Sequence, residues 1–344
     1  MNGKGTNATE PLLQFVGYEK LGQTPNIVVD GSGNPATQIT LSHWPKSGTP
    51  RELKADTSTE IVFNYLDSPR FHVAAAAVSN NHFDEDGLAG IYTLIEPEAA
   101  VAARELIVDI AHAGDFATFR FRQAARVAFT VSAFADPEQS PLDTSIFERP
   151  YAEQCAALYG ELLPRFGEMV RHTDRFKDYW AAEDAALTEG EHALRRGDVT
   201  IEERREVDLA IVRVSEGRGA NAAHRLAVPV EAACHPMAVH NTTRCNRILV
   251  HHGRRYAFAY RYESWVQLVS PRPLPRVDLA LLAEALSEDE RGRAHWEFDG
   301  VSAITPRMRM SGDGESTIAP ETFADRIAAF LATAPPAWDP YDPV

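Results

Sequence analysis

Ala102, Leu106 and Ile110 recur at four-residue spacing within residues 98–113, and Leu158, Leu162, Phe166 and Met169 repeat a helical spacing further on. Both stretches predict helices with one buried face. The run 73–78 is instead continuously apolar, the pattern of a strand buried on both sides. Residues 26–30 and 38–41 read as two shorter strands. Asp56-Thr57-Ser58-Thr59-Glu60, followed by Ile61, Val62 and Tyr65, predicts a helix opened by a capping box, with Asp56 or Thr57 as cap and Glu60 closing it. A short helix is expected over 88–94, broken before Pro97, and Gly114 ends the 98–113 helix.

The texture changes after Gly197. Residues 207–214, 225–230, 247–251 and 255–262 are β-like, His252-Gly253 suits a hairpin turn between the last two, and 277–286 is helical. The pattern predicts an α/β fold: an open, mostly parallel sheet flanked by helices, with a second, smaller α+β domain. The expected organisation is a flexible N-terminal segment over 1–20, a metal-binding α/β domain over 21–150 and a helical segment or linker over 151–200. An arginine-rich α+β substrate domain over 201–333 and a flexible, proline-rich and acidic tail over 334–344 follow. The boundary is expected in the charged stretch 190–203, and the helices of 152–196 are the only stretch that suggests a homodimer.

Composition narrows the function classes. Hydrophobic residues at 44% and charged residues at 24% are ordinary for a soluble globular chain of 344 residues. A formal net charge of −15 argues against general duplex nucleic-acid binding, which depends on neutralising phosphates. No apolar run approaches a membrane span and no export signal opens the chain, so a cytoplasmic protein is expected. Cys155, Cys234 and Cys245 fit reduced thiols; a zinc site built from the latter two with His235 and His240 fits no standard spacing. Between residues 211 and 276, ten arginines stand against three acids. That excess suggests a local anion site, the plainer alternative being pairing with acids elsewhere in the chain.

The chemistry concentrates at His82-Phe83-Asp84-Glu85-Asp86-Gly87, within the stretch 79–90 that directly follows the 73–78 run. On a buried strand, His82, Asp84 and Asp86 leave its C-terminal end, where open α/β sheets place ligands. One imidazole and two carboxylates without thiolate suit Mn²⁺ first, with Mg²⁺, Fe²⁺ or Zn²⁺ as alternatives. The competing reading is an acidic strand-to-helix loop with an Asp cap.

His82-Phe83-Asp84-Glu85-Asp86-Gly87-Leu88 resembles the first motif of the DHH phosphoesterase family, a strand followed by His-x-Asp-x-Asp and a helix. Ser58-Thr59-Glu60-Ile61-Val62 resembles the segment that follows that family's Asp-His-His triplet, with Ser42-His43-Trp44 in the triplet's place. Gly114-Asp115-Phe116 resembles its later aspartate motif. Tyr260-Arg261-Tyr262-Glu263-Ser264 and Arg276-Val277-Asp278-Leu279 more faintly resemble parts of the accompanying substrate domain. The resemblance implies a pair of Mn²⁺ ions held by His82, Asp84, Asp86 and Asp115, with His43 as the catalytic histidine. Two departures stand out: the triplet keeps one histidine, and its segment precedes the first motif, as in a circular permutation. One metal instead of two, replacement of the missing ligand by Asp30 or Asp56, or a site without metal would each follow from the first departure. The family's glycine-rich substrate loop is absent. The Asn81-His82-Phe83-Asp84 core is also similar to that of an uncharacterised bacterial family, which carries no function.

Together these readings lead to a metal-dependent hydrolase acting on a small anionic substrate, a phosphoester or nucleotide. His43 and Asp86 are its catalytic residues, and Arg261, Arg244, Arg247 and His240 bind substrate. The alternatives are hydrolysis of an amide or other carbonyl derivative, and a non-catalytic ligand-binding module on a decayed phosphoesterase fold.

Overall fold

The computed structural model describes residues 13–215, 230, 233–291, 294–312 and 314–342. Strands β1 (Gln14–Phe15), β2 (Asn26–Val29), β3 (Thr37–Leu41) and β4 (Ala77–Ser79) form a wholly parallel sheet in the order β1-β4-β2-β3. The N-terminal part of the chain therefore enters the sheet as an edge strand. Of the apolar run 73–78, only the end pairs as strand; the alanines before it leave little side chain to pack. Helices α1 (Ser58–Leu66), α2 (Glu85–Ile95), α3 (Pro97–Ala102), α4 (Arg104–Asp115), α5 (Arg122–Ala135) and α6 (Tyr151–Arg171) complete this half. Val29, Leu41 and Val78 share one core with Ile61, Leu88, Ile107, Val127 and Leu162.

Local signals act as expected at several points. Thr57 caps α1 in a full capping box with Glu60. The helix expected over 98–113 is divided at Ala103, whose backbone leaves helical geometry while its carbonyl already accepts from Ile107. Both helices of the 151–200 stretch have their buried faces in a core. Leu158, Leu162, Phe166 and Met169 of α6 lie in the first, and Trp180, Leu187 and Ala193 of α7 (Lys177–Arg196) pack against the second sheet.

That sheet contains β5 (Val199–Arg204), β6 (Leu209–Val214), β7 (Arg247–His252), β8 (Arg255–Tyr260), β10 (Trp296–Phe298) and β11 (Arg307–Met310), ordered β10-β11-β8-β7-β6-β5. Only β6 and β7 pair in parallel. With six strands against four it is the larger sheet, the reverse of the size order expected. Strand β5 falls in the charged stretch where a boundary was expected; its Glu202 and Arg204 point to partners such as Arg213 and Asp325. The expected strand at 225–230 lies, but for its last residue, outside the described residues.

Alternation decides the layers. Ala210, Val212 and Val214 of β6 face α5, α7 and α8 (Pro236–His240), whereas Leu209 and Ile211 face α9 (Ala280–Glu288) and α10 (Pro320–Thr333). Strands β9 (Arg276–Val277) and β12 (Pro336–Trp338) pair antiparallel. Tyr341 then hydrogen-bonds both backbone groups of Leu268, so the tail expected to be loose is tied down. No described helix is long and apolar enough to cross a membrane.

His251, next to the expected His252-Gly253 hairpin turn, is buried in β7 against Tyr256 and Phe323, with no hydrogen-bond partner on either ring nitrogen. The strand runs one residue further than its pattern suggests, and Gly253, at φ 60°, makes the turn. Burial, reinforced by the Arg213 charge, holds this imidazole down at about 4. A histidine lowered in the folded state favours unfolding once the unfolded chain begins to protonate. Its contribution is therefore intact above the unfolded value near 6.5 and falls as pH drops toward 4. Urea unfolding at pH 7 and pH 5 is expected to show about 2 kcal/mol more loss in the wild type than in His251→Phe.

Candidate metal centre

The C-terminal ends of β2, β3 and β4 lie side by side and release Asp30, His43 and His82 at one edge of the parallel sheet. Asp30 takes a left-handed conformation with φ 53°, which Asp tolerates better than most residues. Gly31 follows it because a Cβ there would lie 2.2 Å from Asn81 Oδ1. Beyond β4, Asp84 caps α2 by accepting the Gly87 N–H at 2.8 Å, and a Cβ on Gly87 would meet both Asn80 and Tyr159 at 2.4 Å. The cap and the candidate ligand, posed as alternatives by the sequence, are thus the same residue: one oxygen of Asp84 caps and the other faces His82.

The expected trio does not converge as one group. His82 Nε2 lies 2.7 Å from Asp84 Oδ2 and 3.2 Å from Asp30 Oδ2, whereas Asp86 turns toward α1 and groups with Asp30 and His43. Two sets of ligand-type atoms result, Asp30-His82-Asp84 and Asp30-His43-Asp86, each with its atoms within 4.8 Å of one another. Asp30 belongs to both. The sequence raised it only as a substitute ligand, because a lone Asp before Gly-Ser-Gly reads as a turn.

Asp86 is fully buried, and its two oxygens accept the N–H groups of Ser58 and Thr59, each at 2.7 Å. It thereby completes the N-terminus of α1 beside the Thr57 cap. Ser58 Oγ donates to Asp30 Oδ1 at 2.7 Å. Asp115 closes the far side: its Oδ2 sits 3.5 Å from His43 Nε2, is buried, and has no hydrogen-bond partner. Asp109 and His112 stand back from this group. Asp109 caps the backbone of Arg120 and Phe121, and His112 faces Glu60 at 3.6 Å.

Hydrogen bonding fixes the tautomer of His43. Its Nδ1 lies 2.6 Å from the Asp56 carbonyl, which can only accept, so Nδ1 carries the proton and a neutral ring presents its lone pair at Nε2. Burial lowers the pKa of this imidazole and favours that neutral form. Nε2 faces Asp30 at 3.5 Å, Asp115 at 3.5 Å and the Tyr262 hydroxyl at 3.2 Å. Tyr262 in turn accepts the Trp44 indole N–H at 3.1 Å, which aims its own proton at His43.

Burial, followed by the charges of Asp84 and Asp86, pushes Asp30 well above the usual carboxylate range, and burial with Asp86 and Asp84 does the same to Asp115. Burial acts on Asp84 in the same direction, but the His82 charge and the Gly87 N–H hold it at about 2. His82 is raised well above its ordinary value because Asp84 and Asp30 outweigh its burial. A buried crowd of acceptors facing an imidazole lone pair needs protons or a cation among them. The oxygen and nitrogen donor set, without thiolate, fits a hard divalent ion.

The residues expected to bind substrate are placed otherwise. Arg261 donates to the carbonyls of Thr243 and Phe116 at 3.2 Å each and pairs with Glu263, and His240 Nδ1 lies 3.0 Å from the same Phe116 carbonyl. Together they clamp the backbone next to Asp115 and so position that carboxylate. Arg247 donates to the carbonyls of Val207 and Pro275, and Arg244 is exposed. The second half reaches the centre through Tyr262, a residue of the stretch 260–264 in which the sequence pointed to Arg261 instead. His82 stacks on Trp44 with ring centroids 5.0 Å apart, leaving its side chain 18% exposed and that of Asp84 27%. These two form the open rim of an otherwise buried cluster.

No curated protein and no solved structure matches this chain. A family model described as a family of unknown function, DUF6687, matches residues 11–342, so the chain belongs to that family.

Proposed function

We propose that Asp30, His43, His82, Asp84 and Asp86 hold a divalent cation, Mn²⁺ first, and that the chain is a metal-dependent hydrolase of small anionic substrates, phosphoesters or nucleotides foremost. The observation that carries this reading is the pair of ligand sets sharing Asp30 at the C-terminal edge of a parallel sheet. A divalent ion in such a set polarises a substrate oxygen and acidifies water. The chain's own groups supply the rest: Asp56 keeps His43 in the tautomer with its lone pair toward the cluster, and Tyr262 aims a hydroxyl proton at the same point. The His-x-Asp-x-Asp loop keeps the chemistry of DHH-type phosphoesterases as its nearest analogy. Three free, buried cysteines support a reducing, cytoplasmic setting.

Assay of the purified chain against p-nitrophenyl phosphate and bis(p-nitrophenyl) phosphate is expected to show Mn²⁺-dependent turnover. A chelator should abolish it, Mn²⁺ should restore it, and Asp84→Asn should remove it. The commitment of Arg261 and Arg247 to backbone carbonyls favours a second reading, a binding module without turnover. Tight Mn²⁺ binding with no phosphoester turnover would select that second reading, whereas turnover of an amide substrate alone would move the reaction to carbonyl chemistry.

A further inference from the structure

We propose that the C-terminal tail, through Asp339, Pro340 and Tyr341, is a latch that positions His43 by holding the strap of residues 267–270 against the metal centre. The strap lies outside every helix and strand, so its backbone groups need partners on other segments. Four consecutive N–H groups find them. Gln267 donates to the His43 carbonyl at 2.9 Å, and Val269 and Ser270 donate to Asp56 Oδ1 at 2.7 and 2.8 Å. Between them, Leu268 donates to the Tyr341 hydroxyl at 2.7 Å, and its carbonyl accepts that hydroxyl's proton at 2.6 Å. One short segment therefore grips the site and the tail at once.

At the site, the strap touches what sets the state of His43. The Asp56 carboxylate takes the strap's N–H groups while its carbonyl, 2.6 Å from His43 Nδ1, fixes the tautomer. The Gln267 side chain spans both ends: its Oε1 accepts from Lys54 Nζ, and its Nε2 donates to the Pro340 carbonyl at 2.9 Å. The chain just before the strap is anchored separately, because Ser264 Oγ donates to the Arg261 carbonyl at 2.6 Å and accepts from buried Arg276 Nε at 2.8 Å. The front is thus held by the core and the rear by the tail. Arg272 pairs with Asp339 and lies 4.3 Å from the Tyr341 ring centroid, with its side chain exposed. Exposed ion pairs are weak and screened by salt, so the tail is the end that releases first.

Release of the tail frees Asp56 to move, lets His43 sample its other tautomer and weakens the hold on a cation. Coupling of this kind is reciprocal: an ion bound at the centre tightens the tail by the factor that tail docking tightens the ion. The part that concerns the ion rests on the reading of the cluster as a metal centre. The effects on the strap and on the His43 ring do not, and they are measured without metal.

Hydrogen exchange is measured on the full, chelator-treated chain and on Tyr341→Phe, which removes the hydroxyl and keeps the ring beside Arg272. The amides of Gln267, Val269 and Ser270, none of them bonded to Tyr341, are expected to exchange at least about tenfold faster in the variant, while those of β6 and β7 exchange as in the wild type. Arg272→Gln acts in the same direction, by about threefold. Nitrogen NMR of the His43 ring, assigned by its loss in His43→Gln, shows well-separated protonated Nδ1 and bare Nε2 signals in the wild type; they draw together in Tyr341→Phe. The Kd for Mn²⁺ rises about tenfold in that variant, and Mn²⁺ slows exchange of the wild-type strap by a comparable factor. Unchanged exchange at Gln267, Val269 and Ser270, or acceleration shared equally by β6 and β7, would overturn the latch, as would His43 signals that stay apart after the strap has loosened. An unchanged Kd for Mn²⁺ would overturn its coupling to the ion. A wild-type chain that takes up no Mn²⁺, with the strap and ring responses present, would count against the metal centre and support the latch.

Discussion

Asp86→Ala is expected to destabilise the metal-free chain by about 4 kcal/mol, measured by urea unfolding at pH 7. The alanine leaves the N–H groups of Ser58 and Thr59 buried at the start of α1 with no acceptor, where the carboxylate now takes both at 2.7 Å. Each stranded donor costs about 1–3 kcal/mol, and loss of a negative charge at a helix N-terminus adds up to about 1. Relief of the repulsion that Asp86 exerts on Asp30 and Asp115 offsets part of this. Asp86→Asn keeps one good acceptor and is expected to lose about half as much. A loss below about 1 kcal/mol for the alanine variant would mean that water reaches these donors and that the buried account of this corner is wrong.

Asp30→Asn is expected to act in the opposite sense on stability while weakening Mn²⁺ binding by at least about a hundredfold. Asp30 is the only residue shared by both ligand sets found among the described residues, so its loss disables both, whereas Asp84→Asn touches one. Its carboxyl is raised by burial and by the charges of Asp84 and Asp86. A carboxyl with a raised folded pKa stabilises least when ionised. The folded state loses ground as pH climbs from the unfolded value of 3.8, and the penalty is complete above the folded value. Asparagine keeps an oxygen for the Ser58 hydroxyl and carries no charge, so the metal-free variant should melt above the metal-free wild type at pH 8. Adding Mn²⁺ should then stabilise the wild type and leave the variant unchanged. A variant that melts lower without metal, or still gains from Mn²⁺, would contradict the role given to Asp30.

The pattern of residues carried much of the first half. The capping box at Thr57, the buried face of α6 and the loop from β4 into α2 follow from local spacing, which is a short-range property. His43 and Asp115 were legible as site residues, and both meet at the cluster although 72 positions separate them. What composition does not encode is direction. The arginines of 211–276 look like an anion site by count. In the fold, Arg247, Arg254, Arg261 and Arg276 donate to backbone carbonyls, and Arg213 and Arg272 pair with Glu202, Glu321 and Asp339. They satisfy irregular backbone in a half whose long connections leave carbonyls without ladder partners. Asp30 was obscured for a related reason: its importance lies in two neighbours, His43 and His82, brought to it by separate strands.

The central claim is that the carboxylates and imidazoles at the sheet edge gather around a divalent ion. Anomalous scattering at the manganese edge from crystals of the Mn²⁺-soaked chain tests it most directly. A peak among Asp30, His43, His82, Asp84 and Asp86 is predicted, absent from Asp30→Asn crystals treated alike. Wild-type density with these side chains ordered as described and no anomalous peak among them would contradict it.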